Sequence, residues 1–275
     1  MTQADQQIDT TSVVAVCSGG LDSTTMVYDL VSQGRKVDLV GFNYGQRHSR
    51  ELTYMIATAR TLGLPYDIVD LRPLASLLSG SRSSLVSDTD VPEGHYAQDN
   101  MKATVVPNRN MIMLSIAAGI AVSRGASQIA TAVHGGDHFI YPDCRPEFIA
   151  YANAAILLGN AGFGTIPTDV DQRHLGVMFP NFILTPYLNK SKADIAYRAL
   201  ELQVPLHMTW SCYKGGPEHC GRCGTCVERL EAIDEAIRRS IANDEPGVWS
   251  EDQTTYADTE FWKVAVREAK EANNV

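Results

Sequence analysis

Short β-branched apolar runs alternate along the first third of the chain with stretches whose apolar positions recur at helical spacing. Val13-Val14-Ala15-Val16 has the composition of a buried strand. It breaks at Ser18-Gly19-Gly20. Met26, Val27, Leu30 and Val31 then follow a helical period, and Gly34 closes that helix. Asp38 to Asn43 predicts a second strand, Glu51 to Leu62 a second helix stopped by Gly63, and Tyr66 to Leu71 a third strand. The order βαβαβ predicts an α/β fold with a doubly wound parallel sheet.

The pattern then changes. Ser79 to Met101 is dominated by Ser, Gly, Asp and Pro without a period, and loops of this length are usually functional or mobile. Met111 to Val122 reads as a nearly all-apolar, buried helix, and Gln128 to Val133 as a strand. Pro146 to Leu158 and Lys192 to Leu202 read as helices, with Pro146 suited to a first turn. Cysteines cluster from Cys212 to Cys226, a helix runs on through Arg239, and a polar helix spans Asp258 to Asn273. Residues 1–11 read as a frayed tail.

Composition narrows the class. The 275 residues are ample for a sizeable core, so no disulfide scaffold is needed. Apolar residues at 44% and charged residues at 20% are ordinary for a soluble globular protein. The net charge of −9 argues against tight, unspecific nucleic-acid binding, which needs clustered cations. No window has the apolar length of a membrane span, and the start lacks the charged-then-apolar order of a signal peptide. The cytoplasm is therefore the expected location, and there six cysteines are ligands or buried thiols rather than disulfides.

Ser18-Gly19-Gly20-Leu21-Asp22-Ser23 sits where a strand ends and a helix begins. Glycines allow a tight turn and close approach of a ligand, and the helix start offers free N–H groups to an anion. Ser18, Ser23, Thr24 and Thr25 add hydroxyls, and Asp22 can cap the helix or hold a cation. A Ser/Asp-capped turn explains any one of these residues equally well. A Walker A loop is excluded, because no Lys-Ser/Thr follows the second glycine. The strand–SGGLDS–helix unit resembles the PP-loop of the ATP pyrophosphatases. That resemblance implies ATP bound along Cys17, Ser18, Gly19, Gly20, Leu21, Asp22, Ser23, Thr24 and Thr25, with cleavage between the α and β phosphorus.

Cys212, Cys220, Cys223 and Cys226 follow the spacing C-x7-C-x2-C-x2-C, which suits one tetrahedral zinc in a closed, structural site. A disulfide pair and an iron–sulfur cluster are the alternatives. His219 is read as an exposed loop histidine, and Cys17 and Cys144 are left over.

Further motifs resemble the 7-cyano-7-deazaguanine synthase family. They are Phe42-Asn43-Tyr44-Gly45-Gln46-Arg47-His48 with Glu51, Val106-Pro107-Asn108-Arg109-Asn110, Tyr141-Pro142-Asp143-Cys144-Arg145-Pro146-Glu147-Phe148, and Trp210-Ser211-Cys212-Tyr213. The stretch from Ala132 to His138 departs from the usual family pattern, and the tail beyond Tyr256 is longer. The resemblance implies an adenine nucleotide alpha hydrolase-like sheet. It divides the chain into a tail (1–11), a PP-loop ATP-binding domain (12–205) and a C-terminal zinc-binding and helical segment (206–275).

The reaction it implies converts 7-carboxy-7-deazaguanine and ammonia, with two ATP, to 7-cyano-7-deazaguanine, AMP and pyrophosphate, in queuosine or related deazapurine synthesis. Adenylation gives the carboxylate a leaving group, ammonia makes the amide, and a second adenylation on the amide oxygen permits dehydration to the nitrile. The alternative is another PP-loop enzyme that adenylates a different carboxylate or a tRNA base. On the family reading, Ser18, Asp22, Ser23 and Arg109 are catalytic, and Mg²⁺ bridges the phosphates. Arg109 and Lys190 are candidate phosphate contacts. Tyr44, Gln46, Arg47, Asp143, Arg145 and Glu147 are candidate substrate contacts, and His48 is either a base for ammonium or a capping or core histidine. A homodimer is the family expectation.

Overall fold

The computed structural model describes residues 11–73, 83–87, 89–96, 98–168, 181–244 and 251–272. Five parallel strands form one sheet in the order β3-β2-β1-β4-β5. β1 (Ser12–Val16) lies at its centre between β2 (Lys36–Asn43) and β4 (Gln128–Ala130). β3 (Tyr66–Asp70) flanks β2, and β5 (Ile183–Leu184) flanks β4.

Successive side chains of β1 go to opposite faces, as the two-residue period of a strand requires. Val13 and Ala15 pack with Met26 and Val27 of α1 (Leu21–Ser32) and with Met55 and Ala59 of α2 (Glu51–Leu62). Val14 packs on the other face with Leu114 and Ala117 of α3 (Arg109–Arg124), and with Ile149 and Leu157 of α4 (Pro146–Gly159). Both faces of β1 are covered, which is why it reads as an unbroken apolar run. α5 (Lys192–Glu201) and α6 (Gly224–Ala242) pack on each other and on Leu21. α7 (Phe261–Ala272) lays Ala265 and Val266 against Val227 of α6.

Arg229, 0% exposed, draws the C-terminal part of the chain together. It donates to Asp252 Oδ2 at 3.0 Å, Tyr256 Oη at 2.9 Å, Thr209 Oγ1 at 2.6 Å and the Leu206 carbonyl at 2.9 Å. The buried cation is thus paired with a carboxylate and fully hydrogen-bonded, the condition under which such a charge is tolerated.

Two expectations need correction. α3 is buried on one side only, with Ser115, Gly119 and Ser123 exposed, because an outer layer shields the sheet with a single face. β4 ends at Ala130 rather than Val133. Thr131 N still donates to the Leu184 carbonyl at 3.0 Å, after which the chain leaves the sheet and lines a cleft. β5 is too short for its period to show in the sequence. Within the predicted long loop, Asp99–Thr104 forms a 3-10 helix, while residues 79–82, 88 and 97 lie outside the described residues, as do residues 1–10 of the tail and Asn273. Among the described residues no helix is long and apolar enough to cross a membrane.

The direction of winding reverses between β1 and β4. Chain segments leaving the carboxyl ends of these neighbours diverge there and open a crevice, the usual ligand position in such sheets.

Candidate active site

That crevice is lined by the loop after β1, the segment after β4, the start of α3 and side chains from α5 and α6. Gly19 has φ +94°, and a Cβ there would overlap the Glu51 carbonyl oxygen and lie 2.7 Å from the Met55 nitrogen. The loop therefore rests directly on the start of α2. Gly20 is the N-cap of α1 and no side chain caps that helix among the described residues, so its first N–H groups remain available to an anion. Ser23 Oγ accepts from Ser18 N at 3.2 Å and donates to the Gly20 carbonyl at 3.3 Å, while Gly20 N donates to Ser18 Oγ at 3.2 Å. Gly19→Ala should cost about 2–4 kcal/mol, because both backbone angle and space oppose a side chain. A urea midpoint equal to wild type would show that the loop does not depend on this contact.

One end of the cleft holds charge. The Lys192 ammonium, at the first turn of α5, donates to Asp22 Oδ2 and lies 3.6 Å from Glu228 Oε2 on α6. His134 Nδ1 accepts from Gly136 N at 3.1 Å, which leaves Nε2 facing Asp22 at 3.9 Å and Asp137 at 3.6 Å. Burial works against ionisation of Asp22, yet Lys192 and His134 override it and hold the carboxyl below its ordinary range. Burial likewise opposes the Lys192 charge, and Asp22 and Glu228 outweigh it, so its pKa is raised. Glu228 is pushed up by burial more than Lys192 pulls it down. Asp22 Oδ1 is buried and has no hydrogen-bond partner among the described residues.

The other end is aromatic and cationic. The Arg109 guanidinium lies 5.6 Å over the Tyr141 ring, with Tyr44 and Tyr213 beside it. Arg109 forms no ion pair with a carboxylate among the described residues. Asn108, in the left-handed region at φ +57°, turns the chain into α3, and Asp143 Oδ2 accepts from Asn110 N at 3.0 Å. Burial raises Tyr44 to about 12 against the pull of Arg109, and raises the Cys17 thiol to about 11. Both therefore stay protonated at neutral pH.

Away from the cleft, the sulfurs of Cys212, Cys220, Cys223 and Cys226 all lie within 4.8 Å of one another. Cys220 and Cys226 are 3.9 Å apart at sulfur. Ligands about 2.3 Å from one tetrahedral ion stand about 3.8 Å from each other, so this donor set fits a single ion. The irons of a cluster would hold its terminal sulfurs farther apart. Cys223 is the N-cap of α6 and Cys226 lies in its first turn, so this site sets the start of the helix that carries Glu228.

Residues 12–237 match the family described as queuosine biosynthesis protein QueC. The chain belongs to that family. Among its relatives, 7-cyano-7-deazaguanine synthase 1 of Mesorhizobium japonicum is 44% identical, over 93% of this chain and 98% of that one. The 7-cyano-7-deazaguanine synthase of Sinorhizobium fredii is 47% identical, over 92% and 94%. An NMN synthetase from Francisella tularensis overlays with a TM-score of 0.44 at 12% identity, covering 96% of this chain and 87% of that one, a distant likeness that adds nothing to the assignment.

The QueC-family motifs seen in the sequence divide spatially. Cys17, Ser18, Gly20, Leu21, Asp22, Ser23, Tyr44 and Arg109 line the cleft together. Gly19 shapes the loop from behind. Thr25 Oγ1 donates to the Leu21 carbonyl at 2.7 Å inside α1, and Thr24 Oγ1 is buried without a partner among the described residues. Gln46 accepts from Tyr44 N at 2.9 Å and donates to the Phe42 carbonyl at 3.0 Å, bracing its own loop. Arg47 donates to the Ser87 carbonyl at 2.7 Å, and Arg145 to the His138 carbonyl at 2.9 Å. Asp143 staples α3, and Glu147 is exposed in the first turn of α4. Gln46, Arg47, Asp143, Arg145 and Glu147 are not among the residues lining the cleft.

Lys190 is exposed and offers its carbonyl to Gly135 N at 2.8 Å. The lysine that lines the cleft is Lys192. Ser191 and Asp194 form a capping box, a sequence signal that starts the helix at Lys192. Glu228 had no such signal, since an acid on a polar helix face reads as solvated. His219 corrects an expectation: it is buried between Trp210 and Tyr256, and its Nε2 accepts from Ser211 N at 3.0 Å. Burial lowers its pKa to about 3, so it stays neutral beside Arg229.

Proposed function

We propose that this chain is a 7-cyano-7-deazaguanine synthase. It adenylates 7-carboxy-7-deazaguanine with ATP, forms the amide with ammonia, adenylates the amide oxygen and releases the nitrile. The observation that carries the reading is a single cleft lined both by an uncapped helix start and by Arg109, a guanidinium that forms no salt bridge among the described residues. Two anionic demands, a triphosphate and an acid, are met within one site. The family supports this substrate class, since relatives over 40% identical across nearly the whole chain bear that name.

In this reading Ser18, Gly19, Gly20 and Ser23 hold the triphosphate through N–H and O–H donors. Lys192 offsets the charge of the departing pyrophosphate. Asp22 would hold Mg²⁺ through Oδ1, the buried oxygen left without a protein partner. Mg²⁺, when bound, supplies charge neutralisation on the phosphate oxygens. Arg109 orients the acid or its adenylate, and Tyr44, Tyr141 and Tyr213 offer flat faces to a bicyclic base. The four cysteines hold a structural zinc. The chain acts as a cytoplasmic homodimer on small molecules. The division at residue 205 serves only to separate the ATP-binding layers from the zinc-stabilised segment.

Purified protein incubated with ATP, Mg²⁺, ammonium and 7-carboxy-7-deazaguanine should yield nitrile, AMP and pyrophosphate by mass spectrometry. Release of ADP and orthophosphate alone, or recovery of the unchanged acid, would overturn the reading.

A further inference from the structure

His48 and Glu51 are among the titratable groups of the cleft to which the triphosphate and the acid give no task. His48 is 3% exposed, Glu51 is buried, and both line the cleft beside Arg109 and Tyr213. His48 Nε2 lies 3.5 Å from Glu51 Oε1, which also accepts from Gln46 Nε2 at 3.2 Å. Gln46 is itself anchored at both ends, so the Glu51 carboxyl is pinned on its far side. The Tyr213 ring lies 4.9 Å from the His48 ring, centroid to centroid, and fixes its plane. The second ring nitrogen, Nδ1, is buried and has no hydrogen-bond partner among the described residues. Native structures seldom leave such an atom unsatisfied unless strain, a catalytic role, or a water, ion or ligand accounts for it.

We propose that His48 Nδ1 accepts protons from the substrate nitrogen and that Glu51 receives them through the imidazole. This rests on the nitrile-forming reading above. In the first round the ammonia lone pair forms the C–N bond to the acyl carbon, and the C–O bond to AMP breaks with its electron pair. One N–H proton passes to His48 Nδ1 while Nε2–H gives its proton to the Glu51 carboxylate. In the second round the cationic O-adenylated amide first loses a proton the same way. The resulting imidate then loses its last N–H proton as the C–O bond to AMP breaks and the C≡N bond completes. Between steps Nδ1–H releases its proton to solvent while Nε2 takes its proton back from Glu51, which restores the Nε2–H tautomer and the carboxylate. Nothing in the sequence distinguishes this use of His48 from a capping role.

The groups facing the pair are Arg109, Tyr44, Tyr213 and Cys17. Burial, reinforced by Arg109, lowers His48 to about 3, so the ring is neutral and free to accept. Burial raises Glu51 to about 8, against the pull of Gln46 and Arg109. The carboxylate form fills as pH rises through that value, so nitrile formation at fixed free ammonia should climb to about pH 8 and then level.

The test compares full-length wild type, Glu51→Gln and His48→Gln in two assays. Pyrophosphate exchange into ATP, with the acid but no ammonium, needs no proton transfer from nitrogen and should stay within about threefold of wild type. Nitrile formation should fall about 100-fold or more in both variants, and Glu51→Gln should lose the limb near pH 8. Wild-type-like nitrile rates and pH profile in the variants, beside an active wild type, overturn the relay alone. Exchange falling in step with nitrile formation also overturns it, because the pair then only builds the site. A wild type that makes no nitrile overturns the functional reading, and the relay with it.

Discussion

Lys192→Met should lower nitrile formation about 1,000-fold and destabilise the fold by about 3 kcal/mol. The ammonium stands between Asp22 and Glu228 in a poorly solvated cleft, with Asp137 close behind. Methionine preserves most of the volume and leaves these carboxylates facing one another. The loss should sit at the lower end for a broken buried pair, since the Lys192 and Asp22 side chains keep 14% and 22% of their exposure. The sign with pH follows from Asp22, whose folded pKa lies below its ordinary 3.8 because of Lys192 and His134. Its stabilisation is present above that ordinary value and is lost as pH falls through the lowered one. The gap between wild type and variant should therefore narrow in acid. Urea melts at neutral pH and near pH 3 check this. Coincident curves at neutral pH, together with an unchanged turnover, would remove Lys192 from the site.

Cys223→Ala should release the bound metal, lower solubility and abolish turnover, although the altered residue does not line the cleft. Three thiols would remain crowded within 4.8 Å without the ion that the geometry fits. Metal binding at closed sites of this kind supplies about 10 kcal/mol or more to small domains. Here the cost is shared with the Arg229 network, which ties Thr209, Asp252 and Tyr256 together independently of the cysteines. The body of the sheet should survive, and the start of α6 should loosen. Glu228 lies two residues beyond Cys226, so it would lose its register against Lys192. Metal analysis, far-UV and near-UV circular dichroism and the nitrile assay read these separately. A wild type without stoichiometric zinc would refute the structural-site proposal.

Much of the fold was legible because its signals are short. The apolar run before Ser18, the glycines after it and the helical period from Met26 lie within one strand–turn–helix unit, and the structure keeps that unit as read. Helix ends at Gly63 and at Pro146 were readable for the same reason: a left-handed cap or a ring-fixed φ is a property of one residue. The cysteines were legible because four thiols fall within a single loop and helix start. β5 and the early end of β4 were not legible, since a two-residue strand has no period and its pairing is decided by the strand beside it.

The site divides along the same line. The chain's own order determined the phosphate loop, the cysteine quartet, the α/β class and the motifs that carry the family resemblance, all through contacts between near neighbours. Tertiary structure alone decided that Lys192 rather than Lys190 meets Asp22 across 170 positions, that Glu228 arrives from the cysteine-bounded helix, and that His48 and Glu51 are buried enough to shift in opposite directions. Those outcomes depend on desolvation and on charges converging from separate elements, sums over packed neighbours that no local spacing records.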